Sequence, residues 1–269
     1  MQIRAGYEIV YECPQPTPMI LMLTVHPSRQ SDLTTPHRIT FEPAVTAHDY
    51  LDSFGNACTR MVAPAGRIAI SSDFVIQDPG SSDPVAPDAA QLAVEQLPDD
   101  VLIYLLGSRY CDTDHLTNTA WSLFGTTPMG WARVQAICDY VHERLSFGYH
   151  HASASRTAWD GFNEQRGVCR DFAHLAITLC RCMNIPARYC TGYLGDIGVP
   201  AVPDPMDFSA WFEVYLGGRW YTFDARHNKP RIGRILVARG RDATDVALST
   251  AFGTARLAGF KVVTDEIVA

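Results

Sequence analysis

The residues best suited to chemistry in this 269-residue chain begin with Cys169. Residues 167–183 read Gly-Val-Cys-Arg-Asp-Phe-Ala-His-Leu-Ala-Ile-Thr-Leu-Cys-Arg-Cys-Met. The glycine opens a turn, and the spacing that follows predicts a helix with Cys169 in its first turn. Phe172, Leu175, Ala176, Leu179 and Met183 fall on one apolar stripe, with Arg170, His174, Thr178 and Arg181 on the opposite side. Asn184 and Pro186 stop the helix. A thiol at a helix N-terminus feels unpaired backbone N–H groups and the positive end of the helix dipole. Both favour the thiolate, the form that attacks a carbonyl carbon. Asp171 is placed to cap the helix start by accepting from backbone N–H groups near Cys169. The plain alternative for a lone cysteine is a small buried hydrophobe.

A second stretch carries a carboxylate. Phe208-Ser-Ala-Trp-Phe-Glu-Val-Tyr-Leu and Arg219-Trp-Tyr-Thr-Phe-Asp flank Gly217-Gly218, a strong signal for a two-residue hairpin turn. In that register Leu216 faces Arg219, Trp211 faces Asp224, and Ser209 faces Arg226. Alternation then puts Ser209, Trp211, Glu213, Thr222, Asp224 and Arg226 on one face of the hairpin.

Four segments in order are similar to the transglutaminase-like superfamily. They are Gly-Val-Cys169-Arg-Asp-Phe-Ala-His-Leu, Ile185-Pro-Ala-Arg-Tyr-Cys-Thr-Gly-Tyr, Ala210-Trp-Phe-Glu-Val-Tyr and Trp220-Tyr-Thr-Phe-Asp224. The resemblance covers residues 130–230, and the N-terminal strands resemble the bacterial cysteine-protease branch with a β domain in front. It implies an α+β fold, with a papain/transglutaminase-like core in which a Cys-bearing helix packs on an antiparallel sheet. It further implies acyl transfer or amide hydrolysis through a thioester on a peptide or protein substrate, with no cofactor. Cys169 matches the family nucleophile and Asp224 the acid that orients the catalytic histidine. The position of that histidine, two residues before the tryptophan, is Ser209 here. A serine hydroxyl cannot act as a general base near neutral pH, and a positioned base is worth roughly 10²–10⁴-fold. Either another base serves, or the chain is a degenerate member that binds a peptide or peptidoglycan-like partner without turning it over.

His227 is the nearest substitute by sequence, but the hairpin register sends it to the face opposite Asp224 unless the strand ends at Ala225. His150 and His151, in the segment before the Cys169 helix, come next. His174 lies about 140° around the helix from Cys169 and points away. Trp211 and Trp220 either shape a substrate tunnel or pack the hairpin, the latter favoured for Trp220. Glu213 is a partner for Arg226. Arg226, His227, Lys229, Arg231, Arg234, Arg239 and Arg241 follow directly on Asp224. They read as solvated surface pairs with acids such as Asp242 and Asp245, or as a rim that receives a carboxylate or phosphate.

The elements that must position these groups divide in two. Residues 1–90 are expected to form an N-terminal β-sandwich-like domain, with strands near Tyr7–Glu12, Met19–Val25, Arg38–Glu42 and Arg67–Ile76 and a hairpin turn at Phe54-Gly-Asn. This domain carries no paired nucleophile and base. Residues 78–98 form a Pro- and Ser-rich connector, and residues 91–269 form the core domain. A helix over 130–146 presents Val134, Ile137, Cys138, Val141 and Leu145. The formal net charge of -7 argues against generic nucleic-acid binding. No apolar run reaches membrane-spanning length, and the first residues lack the apolar core of a signal peptide. The eight cysteines show no disulfide or zinc spacing, and calcium-loop motifs are absent, so a cytoplasmic protein with reduced thiols and no metal is expected.

Overall fold

The computed structural model describes residues 1–202 and 205–268. Six strands come first: β1 (Gln2–Cys13), β2 (Thr17–Leu21), β3 (Thr40–Glu42), β4 (Ala47–Leu51), β5 (Ala57–Ala63) and β6 (Gly66–Gln77). The principal helices follow: α1 (Thr113–Phe124), α2 (Trp131–Arg144), α3 (Ala158–Glu164) and α4 (Cys169–Cys182). The remaining strands of three residues or more are β7 (Ala187–Tyr193), β8 (Ser209–Leu216), β9 (Arg219–Phe223), β10 (Ile235–Gly240), β11 (Ser249–Ala251) and β12 (Arg256–Ile267). The fold is α+β with antiparallel sheets, as expected.

Three four-stranded sheets organise the chain, ordered β12-β1-β6-β3, β11-β2-β5-β4 and β9-β8-β7-β10. The first two contain the N-terminal strands, but each takes an outer strand from the chain's end. β12 pairs with β1 from Gln2↔Ile267 to Glu12↔Arg256, and β11 pairs with β2. Residues 249–267, assigned to the second unit on sequence grounds, therefore pair with the first. Period-2 patterning explains the ladder. Ile3, Ala5, Tyr7 and Ile9 of β1 are buried on one face, and a free backbone edge there would need partners. Buried residues of β1, α4, β8 and β12 belong to one apolar cluster.

Helix α4 lies at the centre of the core. Its expected stripe is buried, but so is most of the polar side: His174, Thr178 and Arg181 are all inaccessible. Backbone groups from remote segments make this possible. Arg181 donates to the carbonyls of Ala187, Leu106 and Arg241, and Thr178 donates to the His174 carbonyl. The Nε2 of His174 accepts from the Ala243 N–H at 3.1 Å. A buried polar group costs little only when it is bonded in this way. Helix α2 forms where its periodicity placed it, burying Val134, Ile137, Cys138 and Val141.

The hairpin β8–β9 turns at Gly217 (φ 55°) and Gly218 (φ 91°), left-handed values that glycine adopts freely. Its register is the expected one, Leu216↔Arg219 through Phe212↔Phe223. Pairing stops there. Trp211 with Asp224 and Ser209 with Arg226 are not ladder pairs, because the chain curls into a turn at Asp224, where the Asn228 N–H donates back to the Asp224 carbonyl at 2.8 Å. Among the described residues no helix is long and apolar enough to cross a membrane.

Candidate active site

Cys169 is the first residue of α4, and its side chain is half-buried. The turn before it is held by Asp171, whose Oδ2 accepts from the Val168 N–H at 2.9 Å and from Arg156 at 3.2 Å. The expected cap is therefore present. Gly167 is required beside it, since a Cβ there would stand 2.5 Å from the Asp171 side chain.

A cavity of about 200 Å³ opens at the thiol. Cys169, Ser209, Arg226 and His227 line it, together with Tyr149, Leu194, Met206, Asp207, Phe208 and Arg231. No lining residue comes from positions 1–77. Two of the three expected site residues, Cys169 and Ser209, thus share one space. Asp224 lies behind it, buried, and reaches the cavity through His227.

The Asp224 carboxylate collects four donors. Its Oδ1 accepts from the Arg226 and His227 N–H groups at 3.0 Å each. Its Oδ2 accepts from Arg234 Nη2 at 2.9 Å and stands 2.8 Å from His227 Nδ1. Burial acts to raise this carboxyl, but the Arg234 guanidinium and then His227 outweigh it and hold it well below the usual carboxylate range. An ionised carboxylate only accepts, so Nδ1 of His227 carries a proton and donates it to Asp224. The condition for His227 to serve is met: β9 ends at Phe223, and the turn swings the imidazole back onto the acid. An aspartate bonded to the backbone N–H groups that follow it is a turn signature, and Asp224-Ala-Arg-His could have been read that way.

The Ser209 hydroxyl is buried without a partner among the described residues. Its strand is fixed by pairing with Gly192 on β7. The other histidines stand elsewhere. His150 and His151 pack on each other with ring centroids 3.9 Å apart and do not line the cavity. His174 is buried between Tyr110 and Tyr189.

The thiol is not acidified. Burial pushes Cys169 up to about 11, with Arg226 and a backbone hydrogen bond from Ala210 pulling the other way and Asp207 and Asp224 adding to the rise. The expectation of a thiolate favoured by the helix terminus fails because desolvation outweighs it.

Other expectations are sorted by the same geometry. Glu213 pairs with Arg188 at 2.6 Å rather than with Arg226. Trp220 packs between Tyr104 and Tyr215 with Arg188 over its ring. Trp211 lies under Arg234 and borders a neighbouring cleft of about 470 Å³, so neither tryptophan lines the thiol cavity. Arg234 bonds Asp83 and Asp224, and Arg241 bonds Asp245. Arg234 as the second partner of Asp224 was not visible in the sequence. Among the described residues no group of three His, Cys, Asp or Glu side chains could hold a metal ion.

The model of the transglutaminase-like superfamily matches residues 119–225, ending two residues before His227. A crystal structure described as "a Putative Cysteine Protease from Cytophaga hutchinsonii" superposes with a TM-score of 0.86 at 28% identity, covering 100% of this chain and 91% of that one. An uncharacterised protein of Mycobacterium leprae, ML0607, is 26% identical over 220 residues, 78% of this chain and 77% of its own length. The uncharacterised Rv2569c of Mycobacterium tuberculosis is 34% identical over 126 residues, 42% of this chain and 40% of its own. The central part of the chain, residues 119–225, thus matches the transglutaminase-like superfamily, and the whole chain is similar in fold to the Cytophaga protein.

Proposed function

We propose that the protein is a cysteine enzyme that forms a thioester with a glutaminyl or peptide carbonyl, using His227 in place of the missing family histidine. One observation carries the reading: Cys169 and His227 line the same cavity while His227 Nδ1 is held by Asp224 at 2.8 Å. Asp224 fixes the tautomer, so Nε2 is available to take the thiol proton as sulfur attacks. A thiol held near 11 is protonated at rest and needs that base. The same imidazolium then protonates the departing ammonia or amine. Water or an amine, deprotonated by His227, resolves the thioester to the acid or the transferred amide. The Cys169 backbone N–H, at the start of α4, is a donor for the oxyanion. No cofactor enters this scheme. The eight free cysteines favour a reducing compartment such as the cytoplasm.

The raised thiol and the serine at 209 favour the rival reading, a member that binds a peptide or peptidoglycan-like partner without turnover. Rates of iodoacetamide labelling at each cysteine separate the two. An enzyme labels at Cys169 well ahead of the other seven thiols, loses that lead in His227→Gln, and releases ammonia from a glutaminyl peptide. A binder keeps whatever lead exposure gives Cys169 in His227→Gln and releases no ammonia.

A further inference from the structure

We propose that the cavity at Cys169 receives a carboxylate, so that the thiol acts on an acyl donor bearing a free carboxylate close to the carbonyl it attacks. The inference rests on Cys169 being the nucleophile and adds the class of its substrate.

Five cations of the basic run after Asp224 divide into two groups. Arg234 and Arg241 are consumed by Asp83, Asp224 and Asp245. Arg226, Lys229 and Arg231 instead line the thiol cavity. Arg226 lies 3.7 Å over the Phe147 ring, and neither it nor Lys229 forms an ion pair among the described residues. Arg231 is the more telling. Its residue is 4% exposed, its Nη2 donates to the Gly195 carbonyl at 2.9 Å, and its Nε is buried without a partner among the described residues. A buried guanidinium donor left unbonded is costly, more so than a neutral one. A planar carboxylate is the partner that matches its fork.

The acids in the cavity do not cancel this. Asp196 accepts from the Val202 N–H with Oδ2, and its Oδ1 stands 3.8 Å from Arg231 Nη2. Asp207 accepts from the Phe208 N–H, and burial raises its carboxyl. With both ionised, three cations face two carboxylates among the described residues. The excess sits beside the reacting sulfur, where a negative substrate group would feel it. Clefts with one dominant sign of charge raise the local concentration and on-rate of the opposite charge by roughly 10–10³-fold.

The test uses two alkylating reagents that differ in charge, iodoacetate and iodoacetamide. Both place a methylene on sulfur and expel iodide. The readout is their rate ratio at Cys169, measured by peptide mass spectrometry against the same ratio for N-acetylcysteine. The expected ratio is at least ~10-fold above the free thiol. It should fall at least threefold, as an order-of-magnitude estimate, in Lys229→Gln and Arg231→Gln, and recover in Arg231→Lys. Lys229 is exposed, so its substitution leaves the fold intact even if Arg231→Gln does not. A ratio equal to that of the free thiol, or one unmoved in Lys229→Gln and in folded Arg231→Gln, overturns the carboxylate assignment. The absolute rate is a separate readout. Slow alkylation by both reagents with a raised ratio keeps the carboxylate cavity and removes the nucleophile. Fast alkylation with no charge preference does the reverse.

Discussion

At the start of β8, the Ser209 hydroxyl is buried against the thiol cavity with nothing to bond. At the end of β9, four donors converge on Asp224, and one of them is an imidazole facing the same cavity. Relatives with the family pattern would place their base at the first point and its orienting acid at the second. Here acid and imidazole both come from one turn. The difference teaches that a catalytic constellation is a set of positions in space. On the proposed reading, a strand that ends early delivers, from three residues beyond the acid, the imidazole that the facing strand lacks. The cost of the arrangement is local. Asp224 must be fully bonded to be tolerated in the core, and Arg234 supplies the charge that keeps it ionised there.

The largest expected effect inverts or confirms this comparison. His227→Gln should lower ammonia release from a glutaminyl peptide by roughly 10²–10⁴-fold, the range for a lost general base. Ser209→Ala should change it by less than about threefold, because a short unpartnered hydroxyl offers no proton relay. If the serine substitution is the damaging one, the base is not in the turn.

Asp224→Asn should follow in size. The amide can still take part in the turn, but it no longer holds Nδ1–H against a charge and leaves Arg234 with Asp83 alone. Turnover should drop by about 10²-fold or more. Removing one partner of a buried ion pair typically costs 3–5 kcal/mol, so a lowered urea midpoint should accompany the loss. An intact midpoint with full activity would mean that the carboxylate positions nothing.

Ser209→His sharpens the comparison further. Both Asp224 oxygens are already occupied, so a second imidazole at 209 finds no orienting acid while His227 is present. The single substitution should leave the rate within about threefold of the starting protein. In the His227→Gln background the same substitution should recover at least ~10-fold, since it then restores a base opposite a freed acceptor. A gain of that size in the single variant would instead identify 209 as a vacant base site.

Much of this site was legible beforehand, and what was not has a physical reason. The α4 stripe, the Gly217-Gly218 turn and the pairing Leu216↔Arg219 follow from local periodicity and turn chemistry. Strict alternation past Phe223 sends His227 to the wrong face, because the ladder that enforces it stops there. The burial of the polar face of α4 does not follow from the sequence, because the carbonyls of Leu106 and Arg241 that satisfy Arg181 lie far away along the chain. β12 could not be placed by pattern either, since its partner β1 is at the opposite end of the chain. The helix terminus that favours the thiolate is visible in the sequence, whereas the extent of the burial that outweighs it depends on packing by distant segments.

The smallest expected effect contrasts two imidazoles near the nucleophile helix. His227 is held by an acid and touches the cavity, whereas His174 is fully buried and only accepts from the Ala243 N–H. Burial pushes His174 down to about 3, against the pull of Asp242 and with Arg170 and Arg181 adding to the fall. A histidine kept neutral in the folded state binds fewer protons than its unfolded counterpart below about pH 6.5. Its contribution to stability is therefore complete above that value. It is lost progressively as pH falls toward about 3, where the folded state begins to protonate. At pH 5 the penalty is on the order of 2 kcal/mol for this one group. Asp224 adds nothing in that window. Its depressed carboxyl stays ionised there, and its share is lost only in stronger acid. Urea midpoints at pH 7 and pH 5 should fall apart by that amount or more in the wild-type protein. His174→Gln, which keeps an acceptor for Ala243 but no titration, should narrow the gap even if it lowers both midpoints. A gap that His174→Gln leaves untouched would assign the acid sensitivity to other groups, of which His26, pushed down to about 4 by burial, is the first to replace.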